Sequence, residues 1–455
     1  MSKTNYLTTI NELISLPKFG TGIGLHRFYA LAEMWDIDLA FFRNRTIHVT
    51  GSNGKGSVTT FIGILLHSAG LKVGVFISPH LLRFNERIKI NNEEITDNEL
   101  VFLTHEAIRL KNVYEKQNAE DTIGAFELFT LIAAKHFFNN KPDVVVVEAG
   151  IGGRFDPTKC FGGDFATLVS LDYEHTALLG KSLEQIGYDK SDIVGRGSRL
   201  ILGELADDVH KKVVAYNISK GTNVLSIGRD FKLAIDKMHN DNRRHLCVNI
   251  GNKIVRACID LPGKFQEHNA GVAIALSLSW LMEAHKSRVN EYIEQAKQCL
   301  INAKWHGRLE VISLAPKITI DVGHSPGAVS AALISYAELN NKSIPSNDLG
   351  VLVTGVSSTK SIEDILNILT PNFSYIVCTK AYHHGEDPGI IASFVRQKNK
   401  AARIVTCNTI EEAVEHSVDT AVKLGRDIYV AGGLFLAIEY WQTFMGNSPK
   451  ELMFF

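Results

Sequence analysis

The sequence predicts an α/β protein of two domains: a larger one on a mostly parallel sheet with a phosphate loop (P-loop-type), then a smaller Rossmann-like one. Three observations lead there. Apolar runs of strand length alternate with segments of helical apolar spacing, the pattern of parallel strands joined by crossover helices. A glycine-rich run with a lysine, Gly51-Ser52-Asn53-Gly54-Lys55-Gly56-Ser57, stands between one such strand and one such helix. And 455 residues exceed what one hydrophobic core usually serves. Residues 302–308, with Gly307, read as a linker, which puts the domains at 1–301 and 302–455.

The elements follow in order. Thr46–Thr50 is a short strand running into the glycine loop. A helix over Ser57–Ala69 carries Val58, Phe61, Ile62, Leu65 and Leu66 on its apolar stripe, and Gly70 stops it. Lys72–Ile77 is the next strand, and Thr96–Gln117 a helix opened by Thr96 and Asp97. After a helix over Phe126–Phe138, the four valines Val144–Val147 read as a central strand covered on both faces. Thr167–Leu171 is a strand and Leu183–Ile193 a helix. The more polar Gly203–Ala257, with its charged run Asn240–Arg244, reads as short strands and exposed loops at the domain edge. Asn269–Leu281 is a helix. In the second domain Ile318–Val322, Gly350–Val353, Tyr375–Thr379, Ala402–Thr406 and Asp427–Ala431 are strands, with helices such as Ser361–Leu369 and Thr409–Leu424 between them. No G-x-G-x-x-G follows its first strand, so no dinucleotide site is indicated.

Composition narrows the function classes. A net charge of −1 gives no support for a nucleic-acid polymer or an anionic membrane as partner. The six cysteines are scattered, without a C-x-x-C pair, and read as reduced thiols of a cytoplasmic protein. Residues 1–11 are polar, unlike a signal peptide, and no apolar run reaches the roughly 18 residues a membrane span needs.

The chemistry gathers at strand ends. Glycines let amide N–H groups approach phosphate oxygens, a helix N-terminus adds partial positive charge, and Lys55 adds a full one. The hydroxyl of Ser57 comes two residues after the lysine rather than one, and Val49 holds the usual first glycine position, so this is not the standard Walker spacing. Glu148 ends the valine strand, where a carboxylate can hold nucleotide-bound Mg2+. Glu174-His175 follows another strand, and Lys190 sits in a helix. Taken alone, a histidine is more often structural than metal-binding, and a helix lysine is ordinary surface.

Together these residues resemble the Mur ligase superfamily, and within it the folylpolyglutamate synthase and dihydrofolate synthase branch, over nearly the whole chain. The similar stretches are Ile47 to Ser57, Ser78-Pro79-His80-Leu81 continuing to Glu86-Arg87-Ile88, Phe126-Glu127, and Glu148 to Asp156. They continue with His175, Lys190, Pro262-Gly263, Gln266, Asn269-Ala270, Gly307 to Glu310, Asp321 and His324-Ser325-Pro326.

The resemblance implies an ATP-dependent amide ligase. ATP phosphorylates an acceptor carboxylate, the amine of L-glutamate attacks the acyl phosphate, and ADP and phosphate leave. Residues 1–301 would bind ATP and the acceptor, and 302–455 the amino acid. Gly51, Ser52, Asn53, Gly54, Lys55, Gly56, Ser57 and Val58 would cradle the phosphates, with Arg308. Asn269 would read adenine and Asp321 lie near the ribose. Ser57 and Glu148 would hold one Mg2+, His175 and a carbamate on Lys190 a second, with K+ a further candidate ion. His324 would meet the incoming amino acid. Lys55, Lys190, His175, Arg308 and His324 would be the catalytic set. Ser78, Pro79, His80, Arg87, Phe126, Arg154 and Asp156 would receive a folate-like acid. The family also implies a monomer.

The chain departs from the family pattern at several places. Glu174 stands for an Asp, Lys159 for an Asn, Phe265 for a His, and Gly124 for a hydroxyl residue. Gly187, Asp189, Ser191 and Asp192 change the surroundings of Lys190, and Val322, Gly323 and Ser325 those of His324. Two ligase readings remain open, one with a folate or dihydropteroate acceptor, one with a non-folate acid. A nucleotide-binding scaffold without turnover is a third, from another class; it would require lost catalytic residues, and none is lost.

Overall fold

The structure, a computed structural model, describes residues 3–22, 24–236, 243–346, 348–357 and 362–454. Of the polar run expected over Asn240–Arg244, residues 240–242 lie outside them, as does Ser361. The chain forms two compact units. The first holds residues up to Asp260, Gln266–Ala303, and Met453 and Phe454; the second holds Leu261–Phe265 and Lys304–Leu452.

The first unit is built on eight strands. In chain order they are β1 Thr46–Thr50, β2 Val73–Phe76, β3 Ile88–Ile90, β4 Glu93–Glu94, β5 Val144–Glu148, β6 Phe165–Leu168, β7 Arg199–Leu202 and β8 Asn223–Ser226. Their order across the sheet is β4-β3-β2-β5-β1-β6-β7-β8. All pairs are parallel except β2–β3 and β3–β4. The mostly parallel sheet is thus as expected, with an antiparallel edge. β1 and β5 sit side by side at its centre, Val49 opposite Glu148. Every residue of both strands is buried. Each fully buried valine contributes roughly 1.5 kcal/mol or more, so this apolar centre is a rigid base for the loops at its carboxyl end.

Helices cover both faces. Lys55–Ser68 buries Val58, Phe61, Ile62, Leu65 and Leu66, the stripe read from the sequence. Asp97–Gln117 starts at Thr96, whose hydroxyl accepts from the Glu99 amide. The strand expected over Thr167–Leu171 lies earlier, at Phe165–Leu168. The reason is local: Ser170 leaves the ladder, and its hydroxyl accepts from the Asn53 amide and donates to the Asn53 carbonyl.

The polar stretch after Gly203 is more regular than expected. Asp207–Ser219 is a helix, with Asp207 and Asp208 at its positive end and Val209, Val213 and Val214 buried. Three strands then make a separate antiparallel sheet: β9 Phe231–Asp236, β10 Arg244–Ile250 and β11 Lys253–Ile259, in the order β11-β10-β9. Half-buried alternation along β10 and β11 disguises them as loops. Lys264–Ala284 is a helix longer than the Asn269–Leu281 expected.

The second unit has six strands: β12 Glu310–Leu314, β13 Lys317–Ile320, β14 Val351–Thr354, β15 Tyr375–Cys378, β16 Arg403–Thr406 and β17 Ile428–Val430. Their order is β12-β13-β17-β14-β15-β16, and only β12–β13 is antiparallel. The five parallel strands are those read from the sequence; the hairpin strand β12, with its exposed alternate residues, was not foreseen. All six cysteines are free thiols. No described helix is long and apolar enough to cross a membrane.

Candidate active site

The glycine loop leaves β1 and enters the helix at Lys55, with Gly54 at φ +84° as its cap. Only glycine takes that conformation without strain. The space forbids a side chain as well: a Cβ on Gly54 would stand 2.5 Å from Asn269 Oδ1. The loop and Asn269 are therefore in direct contact, and Asn269 Nδ2 is fixed by donating to Gln266 Oε1 at 3.0 Å. The loop is also tied to the segment after β6. The Ser52 amide donates to the Ser170 carbonyl (3.0 Å), and the Ser52 hydroxyl to that of Asp172 (3.2 Å). These bonds hold the loop in shape while the first amides of the helix, at its positive end, suit an anion.

Two lysines converge on this loop. Lys55 Nζ donates to the Gly51 carbonyl at 2.9 Å, and Lys190 Nζ donates to the same oxygen at 3.1 Å. Lys190 is 1 % exposed, in the helix Leu183–Ser191. This is not the solvated surface lysine that a helix position alone suggests. It pairs with Glu174 at 2.7 Å. Burial, followed by the charge of Lys55, pushes the Lys190 amine below its ordinary pKa although Glu174 pulls the other way. Burial raises Glu174, but Lys55 and Lys190 outweigh it and hold the carboxyl below its ordinary value.

Glu148 ends β5, buried, and its Oε2 accepts the Ser78 amide at 3.0 Å. Ser57 is buried in the first turn of the loop's helix. A hydroxyl in the first turn of the loop's helix and a carboxylate at the end of the neighbouring strand β5 are the donor types that suit an oxygen-loving cation at a nucleotide phosphate, so this pair fits Mg2+. The second expected pair fits less well. His175 is exposed, at φ +45° before the short helix Thr176–Leu179. Among the described residues no three His, Cys, Asp or Glu side chains gather as a metal cluster. As an ammonium, Lys190 repels a cation.

The residues expected around an acceptor divide into two groups. His80 is buried, with Nδ1 accepting from Arg87 Nε at 2.8 Å and Nε2 bonded to the Met453 carbonyl at 2.6 Å. The Phe454 ring stacks on it at 5.5 Å. Burial, then the Arg87 charge, pushes His80 well below its ordinary pKa. Burial also brings Arg87 down to about 9, against the pull of Glu86 and Glu148. Met453 and Phe454 are neighbours of His80 that the sequence reading missed; a separation of 373 residues left no local signal.

The other group is the loop after Glu148. Gly150 lies against the Phe126 ring, where a Cβ would stand 2.6 Å away. At Gly153 a Cβ would stand 2.4 Å from the Lys190 carbonyl oxygen, so the loop packs directly on the Lys190 helix. Asp156 is committed to shaping this loop, accepting from Ile151 N (2.8 Å), Thr158 N (3.0 Å) and the Thr158 hydroxyl (2.5 Å). Burial pushes its carboxyl up despite them. Arg154 points away to Asp192, at 2.7 Å.

The second unit gathers the remaining expected residues just beyond β13. Asp321 is buried, accepts from the amides of Leu309 (3.1 Å) and Gly323 (2.7 Å), and lies 4.0 Å from Arg308. Burial raises its carboxyl, with Arg308 opposing. His324 Nδ1 lies 3.2 Å from the Val322 carbonyl, ahead of the helix Pro326–Leu339 that Ser325 caps.

Known proteins share the two domains and the fold. Residues 49–277 match the Mur ligase middle domain, and residues 307–434 match the Mur ligase, glutamate ligase domain. The folylpolyglutamate synthase of Lacticaseibacillus casei is 28% identical over 445 residues, covering 98% of this chain and 100% of that protein. The folylpolyglutamate synthase of Mycobacterium tuberculosis, complexed with ADP and AMPPCP, superposes with a TM-score of 0.84 at 23% identity, over 98% of this chain and 99% of that one. The apo form of L. casei FPGS gives 0.79 at 26% identity, over 97% and 100%. With both ligase domains matched in order, and the first spanning half of its length, the chain belongs to the Mur ligase family.

Proposed function

We propose that this chain is an ATP-dependent carbon–nitrogen ligase that joins L-glutamate to a carboxylate of a folate or of dihydropteroate, releasing ADP and phosphate. The observation that carries the reading is the convergence of Lys55 and Lys190 on Gly51, just after β1, whose neighbour β5 ends in Glu148. Such a site must bring a nucleotide phosphate and a carboxylate together, two anions that repel each other. Positive charge and preorganised amides offset that repulsion. The relatives named for folylpolyglutamate synthesis, similar over almost their whole length, support the acceptor class.

The residues divide the work. The amides of Gly51–Ser57 and the Lys55 ammonium bind the phosphates and shield the transferred group. Asn269, in contact with Gly54, reads the base. Ser57 and Glu148 would hold Mg2+, which would supply positive charge against the phosphate oxygens. Arg308 and Asp321 bind the nucleotide. His324 orients the L-glutamate amine, which adds to the acyl carbon as phosphate leaves. Lys190, an easily deprotonated buried amine, takes up CO2, releasing a proton. Its carbamate would turn the unfavourable contact with Lys55 into a favourable one and the ion pair with Glu174 into two facing anions, which a second cation would offset.

Purified protein, ATP and Mg2+ offered dihydropteroate or tetrahydrofolate with L-glutamate should release phosphate only when acceptor and amino acid are both present. No release with either folate, but release with another carboxylic acid and amine, would replace the folate reading by the non-folate one. Release from ATP alone would sink both.

A further inference from the structure

Gln266 is fully buried in the first turn of the helix Lys264–Ala284. Its Oε1 accepts from Asn269 Nδ2 at 3.0 Å. Its Nε2 has no hydrogen-bond partner among the described residues. An orphaned buried donor costs more than one ordinary hydrogen bond returns, so an apolar side chain of the same length would serve the fold as well or better. What Gln266 supplies is direction. Residues three apart on a helix are neighbours, and the Gln266 carbonyl holds the Asn269 amide by one of its two N–H groups.

The backbone of this turn is braced against the phosphate loop. His268 accepts the Glu204 amide at 3.1 Å and bonds the Val169 carbonyl. The Val169 side chain in turn meets Gly51 and Gly54, where added Cβ atoms would stand 3.2 and 3.1 Å from it. Asn269 Oδ1 also lies against Gly54. The freedom left to Asn269 is the turn of its terminal amide, a soft torsion with two settings of the same shape. They differ in which end is the carbonyl and which the NH2. Gln266 Oε1 selects between them, because an Asn269 carbonyl turned towards it would set two acceptors face to face.

The setting decides what base fits. Adenine presents the donor N6–H2 beside the acceptor N7, whereas a 6-oxo purine presents the acceptor O6 beside the same N7. An asparagine that offers Oδ1 to N6 and its second Nδ2–H to N7 reads adenine with two bonds. Turned over, its NH2 would meet O6, and the oxo base would no longer be refused.

We propose that Gln266 is a positioning residue that makes the site select a 6-aminopurine nucleotide, by holding the Asn269 amide with its carbonyl free for the 6-amino group. The inference rests on the reading of Asn269 as the residue that meets the base, and adds the residue that gives it its sense.

The test is calorimetric titration of the whole chain with ADP and, separately, with inosine diphosphate, which carries O6 and N1–H in place of the amino group and bare N1. The wild type should prefer ADP. Gln266→Met removes the acceptor at nearly unchanged length, and the ratio of the two affinities should fall roughly five-fold or more. Gln266→Glu keeps an acceptor in the same shape and should hold the ratio within two-fold of wild type. No preference in the wild type, an unchanged ratio in Gln266→Met (both nucleotides weakened alike included), or a ratio lost in Gln266→Glu as fully as in Gln266→Met would each overturn the proposal. If Gln266→Glu does not fold around its buried charge, Gln266→Met decides alone. Asn269→Ala separates the two readings. A ratio lost there but kept in Gln266→Met defeats only the part given to Gln266, whereas a ratio kept in Asn269→Ala defeats the base reading of 269 and this inference with it. Both are read from binding, so neither depends on which acid is the acceptor.

Discussion

Lys55 and Lys190 donate to one and the same atom, the carbonyl oxygen of Gly51, at 2.9 and 3.1 Å. Two ammonium groups so close are unfavourable unless something negative intervenes, and Glu174 does so from 2.7 Å. Replacing Lys190 by alanine removes the buried amine and leaves Glu174 without its partner. Phosphate release by Lys190→Ala should fall by about 100-fold or more, with part of the loss restored by a short carboxylic acid standing in for a carbamate. A fully active alanine variant would refute the role given to Lys190.

Glu148→Gln keeps the shape of the side chain and an oxygen able to accept the Ser78 amide, but removes the charge. The protein should fold with an unchanged melting temperature and need at least about ten-fold more Mg2+ for half-maximal phosphate release. An unaltered Mg2+ dependence would move the ion elsewhere.

The ring of His80 has a fixed tautomer. A guanidinium only donates, so Nδ1, which faces Arg87 Nε, carries no proton, and Nε2–H donates to the Met453 carbonyl. Nitrogen chemical shifts of labelled histidine should show a neutral Nε2–H ring that stays neutral through the ordinary histidine range, because burial and the Arg87 charge push its titration well below it. Removing residues 453–455 takes away that acceptor and the Phe454 ring. The KM for the acceptor should rise roughly five-fold or more while that for ATP stays within two-fold, since about 1 kcal/mol is typical of one such bond. A parallel rise in both would mean the segment only supports the fold.

Stability should fall in mild acid. His48 is fully buried in β1, and burial, against its bond to the Gly162 carbonyl and with a smaller push from the Lys159 charge, takes its pKa down to about 4. His80 is shifted the same way. In the unfolded chain both bind a proton below about pH 6.5, which the folded chain refuses, so protonation favours unfolding. The stability they contribute is present above pH 6.5 and lost as pH falls towards 4, at about 3 kcal/mol for His48. Urea unfolding at pH 7 and pH 4.5 measures it, and His48→Gln should flatten the dependence. An equal slope in the variant would place the sensitivity elsewhere.

The chain's periodicities made its central strands legible. Four consecutive valines signal a strand covered on both faces, and β5 is one. The loop before Lys55 was legible because glycine, lysine and serine meet where a helix begins. What escaped is what depends on partners distant in sequence. Polar alternation concealed β9, β10 and β11, whose stability comes from pairing with each other rather than from a local pattern. The burial of Lys190 could not be read from its helix, because Glu174 and Gly51 supply its environment. Asp156 reads as a ligand-binding acid from its motif, yet its hydrogen bonds run within its own loop.

The contact between Gly54 and Asn269 has an evolutionary consequence. A methyl group at 54 would fall 2.5 Å from Asn269 Oδ1, so no lineage can add a side chain to the loop without first retracting the residue at 269. The two positions are epistatic. A smaller residue at 269 would remove the clash of Gly54→Ala but not the strain of a side chain at φ +84°, so a change at 269 lowers the barrier to substitution at 54 without abolishing it.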